Sequence, residues 1–156
     1  MATTTLARAI DRVDARLIPF LRHAAIPMLR VSLGLVFVWF GALKVFDVSP
    51  VADLVARTVY WVDPDLFVTT LGFFEVFVGV MLLFGWALRL TLALFTLQMV
   101  GTFLTFLVLP EVTFRSRNPL LLTVEGEFVV KNLVLISAAL VVGTTVRWKG
   151  AGRGRG

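Results

Sequence analysis

The sequence predicts an all-α membrane protein: a bundle of four transmembrane helices preceded by an amphipathic interfacial helix. Hydrophobic residues make up 58% of the 156 positions and charged residues only 16%, whereas about half of an average soluble domain is apolar and about a quarter is charged. The apolar residues also fall in four long runs, each close to the roughly 20 residues that a helix needs to cross the hydrocarbon. One membrane domain with polar connections therefore accounts for most of the chain.

Residues 1–27 are predicted to form a helix that lies at the membrane surface. Apolar residues recur there at steps of three and four, while arginines occupy another face, a pattern typical of interfacial helices. The apolar positions are Leu6, Ile10, Val13, Leu17 and Leu21, and the basic positions are Arg8, Arg12 and Arg16. A cleaved signal peptide would place a short basic stretch directly before its apolar region. We therefore expect this segment to be retained.

The membrane domain is predicted at 28–146. Its spans are expected at about 28–46, 67–84, 89–109 and 127–146. The second span has a helix start signal in Asp63 and Pro64 and a stop signal in Gly85, and Pro110 ends the third. Because only three residues separate Gly85 from Arg89, the second and third spans must form an antiparallel hairpin.

Two polar connectors and a basic tail complete the chain. The connector at 47–66 contains a short surface helix, for which Ser49 and Pro50 provide the start signal. The connector at 111–126 is expected to fold back over the bundle as a lid. Residues 147–156 combine glycine with Lys and Arg and are predicted to be a disordered basic tail.

The distribution of basic residues predicts the orientation. Most of the 15 Lys and Arg residues lie in the N-terminal segment, beside the short turn before Arg89, or in the tail. The positive-inside rule therefore places both termini in the cytoplasm and both long connectors outside. The net charge of +5 comes from residues that flank apolar runs, which favours lipid headgroups as partners and excludes nucleic acid.

The chain contains no Cys, and its only His is His23. This composition excludes disulfides, thiol redox chemistry, Cys-ligated clusters and bis-His haem ligation within the chain, and no metal site is predicted. Any redox centre would have to belong to a partner, so we expect no catalytic activity from this chain alone.

Six polar side chains in the outer half of the predicted bundle form the candidate site. They are Lys44, Glu75, Gln98, Glu127, Lys131 and Asn132. An unpaired charge in the membrane costs at least about 2.5 kcal/mol, so the two acidic and two basic members are expected to neutralise one another. Glu127 and Lys131 have the favourable i,i+4 spacing. Glu75 is the strongest candidate because its short side chain, about 12 Å below the surface, cannot reach water.

An alternative interpretation is purely structural. Lys44 and Lys131 are long enough to extend to the membrane surface, where they would act as ordinary helix ends. Against this, Lys44 shares a helix face with Gly41, and Glu75 shares one with Gly72. Small residues mark the faces on which membrane helices approach closely, which predicts that these two charges point into the bundle.

Three of these helices resemble the DoxX-like family of small four-helix bacterial membrane proteins, over about 28–143. The matching residues are Arg30, Gly34, Phe37, Gly41 and Lys44, then Gly72, Phe73, Phe74, Glu75 and Gly79, then the run from Glu127 to Leu133. The resemblance implies a multi-pass protein of the bacterial inner membrane. For some relatives it also implies association with membrane redox systems, among them a quinone-reducing thiosulfate oxidoreductase and a complex for oxidative-stress defence.

The favoured functional hypothesis is a non-catalytic anchoring or accessory subunit of a membrane redox or oxidative-stress complex. It follows from the missing redox ligands and the basic ends, and it implies a protein partner or a homo-oligomer. We expect the chain itself to hold no cofactor. The one candidate ligand is a quinone.

Two alternatives remain open. One is a quinone-binding oxidoreductase subunit, in which Glu75 and Lys131 bond the headgroup and nearby Phe residues flank the ring. Those residues are Phe37, Phe40 and Phe74. The other is a small-solute or proton transporter in which Glu75 titrates. The transporter is the weaker of the two, because the inner half of the bundle offers only Ser137, Thr144 and backbone as polar groups.

Overall fold

The structure is a computed structural model that describes residues 2–146, so the predicted basic tail lies outside the described residues. Within this range the regular secondary structure is helical, and turns and one isolated β-bridge lie between the helices. Four helices are long and apolar enough to cross a membrane, and they span Leu17–Val45, Pro64–Phe84, Leu88–Val108 and Val124–Gly143. The predicted all-α fold with four membrane-spanning helices is confirmed.

The helices are numbered in chain order. They are α1 (Ala2–Val45), α2 (Ala52–Thr58), α3 (Pro64–Phe84), α4 (Leu88–Thr102), α5 (Leu104–Val108), α6 (Pro110–Thr113), α7 (Val124–Val130) and α8 (Asn132–Gly143). A short 3₁₀ turn at Arg115–Arg117 lies between α6 and α7. The third span consists of α4 and α5, which meet at Phe103, and the fourth consists of α7 and α8, which meet at Lys131.

Helix α1 is a single helix of 44 residues that continues through Pro19 and Pro27. The structure therefore has no helix end at Pro27, where the sequence analysis begins the first span. The residues just before Pro27 include Ala24 and Ala25, which are strong helix formers, and no glycine or turn residue interrupts the helix there. At ~1.5 Å per residue α1 is about 66 Å long, roughly twice the hydrocarbon thickness. Part of it must extend beyond the membrane core.

The ends of α3 follow the predicted signals. The Asp63 side chain accepts a hydrogen bond from the Leu66 amide at 2.9 Å, and Pro64 occupies the first turn. Gly85 ends the helix with a φ of 72°, a left-handed conformation that glycine adopts without strain. Ala87 follows with a φ of 42°, and α4 begins at once. The tight hairpin between the second and third spans is therefore present.

Helices α1 and α3 pack against each other along a seam of four glycines. They are Gly34 and Gly41 on α1 and Gly72 and Gly79 on α3. A Cβ atom added at Gly41 would lie 2.6 Å from the Gly72 carbonyl oxygen, and one added at Gly72 would lie 2.8 Å from the Gly41 carbonyl oxygen. Both distances are far inside van der Waals contact. Glycine is required at the seam because the two backbones approach too closely for any side chain.

The two ends of the bundle differ in structure. The connector end carries α2, α6 and the β-bridge between Phe114 and Leu122. The turn end carries the α3–α4 turn at Gly85, the last turn of α8 and the part of α1 around Arg30, whose side chain lies against Gly85. Which end faces the cytoplasm stays a prediction from the charge distribution.

Toward the turn end the interior of the bundle is mainly apolar, and the buried Thr91 hydroxyl there donates to the Trp86 carbonyl. The outer surface is apolar as well. The buried cluster toward the turn end is Leu33, Phe37, Val78, Leu82, Leu92, Phe95, Met99, Ala139 and Val142. Large side chains on the outer surface include Trp39, Phe73, Phe77, Leu97 and Leu107, all more than half exposed. A continuous outer layer of this kind requires an apolar medium around it, as the bilayer provides.

The glycine seam leads to a matched stability prediction. Gly41→Ala should lower the unfolding free energy by about 1–3 kcal/mol, because the added methyl group pushes α1 away from α3. Gly101→Ala on α4 is the control, since a Cβ there meets nothing within 4 Å. It gains helix propensity and should leave stability unchanged or slightly higher. Circular dichroism during SDS titration in mixed micelles measures the unfolding free energy of both variants. Equal losses of unfolding free energy in the two variants would contradict close packing at the seam.

Candidate ligand cavity and its buried ion pair

An ion pair joins the first and second spans near the connector end. The Lys44 ammonium group lies 2.6 Å from Oε2 of Glu75. Both side chains are buried, with only 5% of Lys44 and 6% of Glu75 exposed. Buried charges require an opposite partner, since the unpaired state of either one is strongly unfavourable. The pair therefore fixes how α1 and α3 face each other.

The glycine seam places this pair. A Cβ added at Gly72 would lie 2.9 Å from Cβ of Lys44, and one added at Gly41 would lie 2.9 Å from Cβ of Glu75. Each charged residue thus packs its side-chain stem over the glycine of the facing helix. Close backbone approach at the glycines brings the ammonium and carboxylate groups together within the bundle.

Gln98 on α4 adds a third member to the pair. Its Nε2 donates a hydrogen bond of 2.5 Å to Oε1 of Glu75. A carboxylate only accepts, so this contact sets the amide orientation and turns the Gln98 carbonyl oxygen away from Glu75. That oxygen is buried and has no hydrogen-bond partner among the described residues. The Lys44–Glu75–Gln98 triad is the centre of the candidate site.

Three threonines and an asparagine line the space beside the triad. Asn132 on α8 donates from Nδ2 to the Thr102 hydroxyl at 2.6 Å, and that hydroxyl donates to the Met99 carbonyl at 2.6 Å. Thr58 at the end of α2 shares a hydrogen bond of 3.1 Å with Thr105. These contacts connect α4 to α8 and α2 to α5.

A cavity of about 620 Å³ lies between the four spans on the connector side of the bundle. The triad, Asn132, Ser49 and the three threonines form its polar lining. Most of the remaining lining is aliphatic or aromatic, and the aromatic residues are Phe37, Phe40, Trp61, Phe67, Phe74 and Phe128. An apolar cavity with a few convergent polar groups is the usual form of a binding site for a small organic molecule.

The first connector covers this cavity. Its residues Pro50, Leu54, Val55 and Thr58 line the space, and α2 packs against α3 and α5. The second connector was expected to act as the lid, but none of its described side chains line the cavity. It folds on itself instead, with the Thr123 hydroxyl donating to the Val112 carbonyl at 2.6 Å.

Comparison with known proteins gives one match. The model of the DoxX family matches residues 25–108, which is more than half of the chain. The chain belongs to the DoxX family. No curated protein and no solved structure gave a match. The matched part of this DoxX protein contains the whole Lys44–Glu75–Gln98 triad, and it ends before the run from Glu127 to Leu133.

Four of the six predicted site residues share the cavity, and two do not. Glu127 and Lys131 are exposed, and among residues 2–146 no ion pair joins them to each other or to the triad. Lys131 instead lies over the Phe128 ring, 5.2 Å from its centroid. The predicted neutralisation among four charges is therefore corrected to a single pair.

Helix rotation explains this correction. Gly126 and Val129 are buried and define the inward face of the fourth span. Residue 132 lies one helical turn beyond Val129 and shares that face, which brings Asn132 into the cavity. Positions 127 and 131 each lie two residues from Val129, the centre of that face, and a rotation of roughly 200° puts their side chains on the opposite side of the helix, outside the bundle.

Sequence analysis missed Thr58, which is only 5% exposed and joins α2 to α5. It lies four residues after Leu54 and three after Val55, so it shares a helix face with these two apolar residues. A threonine on such a face was the available signal. Among the described residues, no group of three or more His, Asp or Glu side chains is placed to hold a metal ion.

The ion pair can be tested with two Lys→Met variants of this DoxX protein. Lys44→Met leaves the Glu75 carboxylate buried without its cation and should destabilise the protein by about 3–5 kcal/mol. Lys131→Met is the matched control and should change stability by less than about 0.5 kcal/mol, since Lys131 is exposed. Circular dichroism during SDS titration in mixed micelles measures both.

A double variant separates charge pairing from simple packing. Combining Lys44→Met with Glu75→Leu removes both charges and should recover much of the stability that Lys44→Met alone loses. Additive losses in the double variant, or equal losses in Lys44→Met and Lys131→Met, would contradict the pairing.

Proposed function

We propose that this DoxX protein binds a quinone-type ligand in the cavity and acts as a non-catalytic subunit of a membrane redox assembly. One observation carries the proposal: an aromatic-lined cavity of about 620 Å³ ends on the buried Lys44–Glu75–Gln98 triad. A quinone combines the same two features, since it is a flat apolar ring that carries polar oxygens.

The polar lining offers hydrogen bonds that suit such a headgroup. The Lys44 ammonium group has three N–H donors and uses one on Glu75. The Asn132 amide has two N–H donors and uses one on Thr102. The carbonyl oxygens of a quinone only accept, so the remaining donors on these two residues match them. Lys131, which was expected to bond the headgroup, does not line the cavity.

The apolar lining is consistent with the ring. Phe37, Phe40 and Phe74, which the sequence analysis expected beside a ligand ring, all line the cavity. The Phe37 ring stacks against the Phe95 ring, with ring centroids 4.2 Å apart. The volume lies within the roughly 300–1,000 Å³ typical of small-molecule sites. Aromatic faces at these positions favour a planar ring by offset stacking.

The accessory role follows from composition. The chain has no Cys and a single His, and the triad contains no group that carries electrons. A quinone would supply two-electron redox chemistry when bound, and the protein's own residues would hold and orient it. The electron donor or acceptor for that ligand must then belong to another subunit.

Binding is favoured over transport by the distribution of polarity. The triad and threonines lie toward the connector end, whereas the interior toward the turn end is the apolar cluster around Leu82, Phe95 and Val142. A proton or small ion would need polar groups across this cluster. The absence of flux in reconstituted vesicles is the expected result for a binding protein.

Ligand binding is tested with a short-chain ubiquinone analogue and the purified protein in detergent. Glu75→Gln should weaken binding by at least about tenfold, because the neutral amide no longer holds the Lys44 ammonium group in place. Asn132→Leu should weaken it by severalfold. Lys131→Met is the control and should bind as the wild type does. Isothermal titration calorimetry gives the affinities, and circular dichroism verifies that each variant is folded.

The same experiment includes a ligand control. An alkylbenzene of equal chain length lacks the carbonyl oxygens and should bind the wild type more weakly than the quinone does. Its affinity should be the same for Asn132→Leu as for the wild type. If folded Glu75→Gln and Asn132→Leu bind the quinone as tightly as the wild type does, the proposed site is contradicted.

The subunit role has a separate test. After mild detergent extraction from native membranes, mass spectrometry of the purified DoxX protein should show a second polypeptide, and visible absorbance should show its flavin, haem or iron–sulfur chromophore. Recovery of a lone homo-oligomer in several mild detergents would contradict this role without affecting the ligand site.

A further inference from the structure

A second cavity, of about 640 Å³, lies at the turn end, between the N-terminal half of α1 and the end of α8. Its apolar walls include Ile18, Ile26 and Val142. Three polar residues also line it: His23 and Arg30 on α1, and Thr145 just after α8. We call this space the Arg30 groove. It is separate from the quinone cavity, which lies at the other end of the bundle and shares no residue with it.

Arg30 is the residue of this groove whose side chain lacks an acceptor for a buried N–H group. Its Nε atom is buried without a hydrogen-bond partner, and among the residues whose side chains the structure describes, no carboxylate lies within ion-pair distance of it. The guanidinium group lies against Gly85, where a Cβ atom would come within 2.5 Å of Nη1. The nearby Met81 and Leu82 carbonyl groups already accept bonds from the Trp86 and Gly85 amides.

The buried Nε–H group of Arg30 is costly without an acceptor, because it has lost water and gained no hydrogen bond in exchange. An anion in the groove would provide the missing acceptor. The phosphate group is well matched to the planar donor fork of arginine, which can bond two of its oxygens at once. The walls at Ile18, Ile26 and Val142 require the same ligand to be apolar along much of its length.

We propose that the Arg30 groove binds an anionic phospholipid. The phosphodiester lies at Arg30, within reach of Thr145, and an acyl chain lies along the apolar walls. A free phosphate ion would satisfy the charge and leave the walls uncovered, whereas a neutral lipid would cover the walls without balancing Arg30. Only a molecule with both features complements the groove.

The position of the groove supports this occupant. It lies at the turn end, where the sequence analysis predicts most of the 15 Lys and Arg residues and which the positive-inside rule predicts to be cytoplasmic. The cytoplasmic leaflet is rich in anionic lipids. The inference is independent of quinone binding, since neither cavity contributes residues to the other.

The experiment uses the full chain in detergent micelles with an equimolar mixture of dioleoyl phosphatidylglycerol and dioleoyl phosphatidylcholine. Native mass spectrometry counts the lipids that remain bound. We expect the wild type to retain phosphatidylglycerol about fivefold over phosphatidylcholine, the effect of one favourable contact between an arginine and an anionic headgroup. Arg30→Gln should bring the ratio close to one.

Arg57→Gln is the matched control, because Arg57 is an exposed arginine in α2 at the connector end. It should retain the wild-type preference. Arg30→Lys keeps the charge and replaces the planar fork by one ammonium group, so an intermediate ratio is expected. This variant also maintains the test if Arg30→Gln does not fold.

A competition arm distinguishes the lipid from its headgroup. Excess glycerol 3-phosphate should leave the bound phosphatidylglycerol in place, because it cannot cover the apolar walls. Displacement by glycerol 3-phosphate would identify a free phosphate ester as the occupant and overturn the proposal. An equal phosphatidylglycerol preference in the wild type and the folded Arg30 variants would overturn it as well.

Discussion

The structure of this DoxX protein depends on the pairing of Lys44 with Glu75 inside a medium that solvates neither charge. A single buried charge would be strongly unfavourable, so α1 and α3 must meet at one register in which the ammonium and carboxylate groups are 2.6 Å apart. The glycine seam makes that register accessible, because Gly41 and Gly72 each leave room for the stem of the facing charged residue. Charge pairing and close backbone approach therefore specify the same helix contact.

This contact divides the bundle into two halves with different interiors. On one side of it the interior is a packed apolar cluster that includes Phe95 and Val142. On the other side the spans separate and leave the cavity, which α2 covers through the hydrogen bond between Thr58 and Thr105. Helix packing supplies stability toward the turn end, while the polar triad lines the cavity toward the connector end. A gap in the packing at the connector end is consistent with a role in binding.

Much of this arrangement was predictable from the sequence. The length of the apolar runs determines the spans, and Asp63, Pro64 and Gly85 determine the ends of α3, because those signals are local. The pairing of Lys44 with Glu75 was also predictable, since each shares a face with glycine. The rotation of the fourth span was not, because its inward face is determined by tertiary packing of Gly126 and Val129. Thr58 was missed for the same reason, since a connector helix acquires its packing surface only when the spans have assembled.

The neutrality of the ion pair limits what the cavity can select. A lone Glu75 would attract cations, and a lone Lys44 would attract anions, but their contact leaves a site with strong local dipoles and no net charge. Such a site favours a neutral molecule whose polar atoms align with the remaining donors on Lys44 and Asn132. A ligand that reaches it through the bilayer must also be neutral, because a charged one would be excluded by the same cost that forces the two side chains to pair. The cost that forces Lys44 and Glu75 to pair therefore also supports the proposal that the cavity holds a neutral ligand.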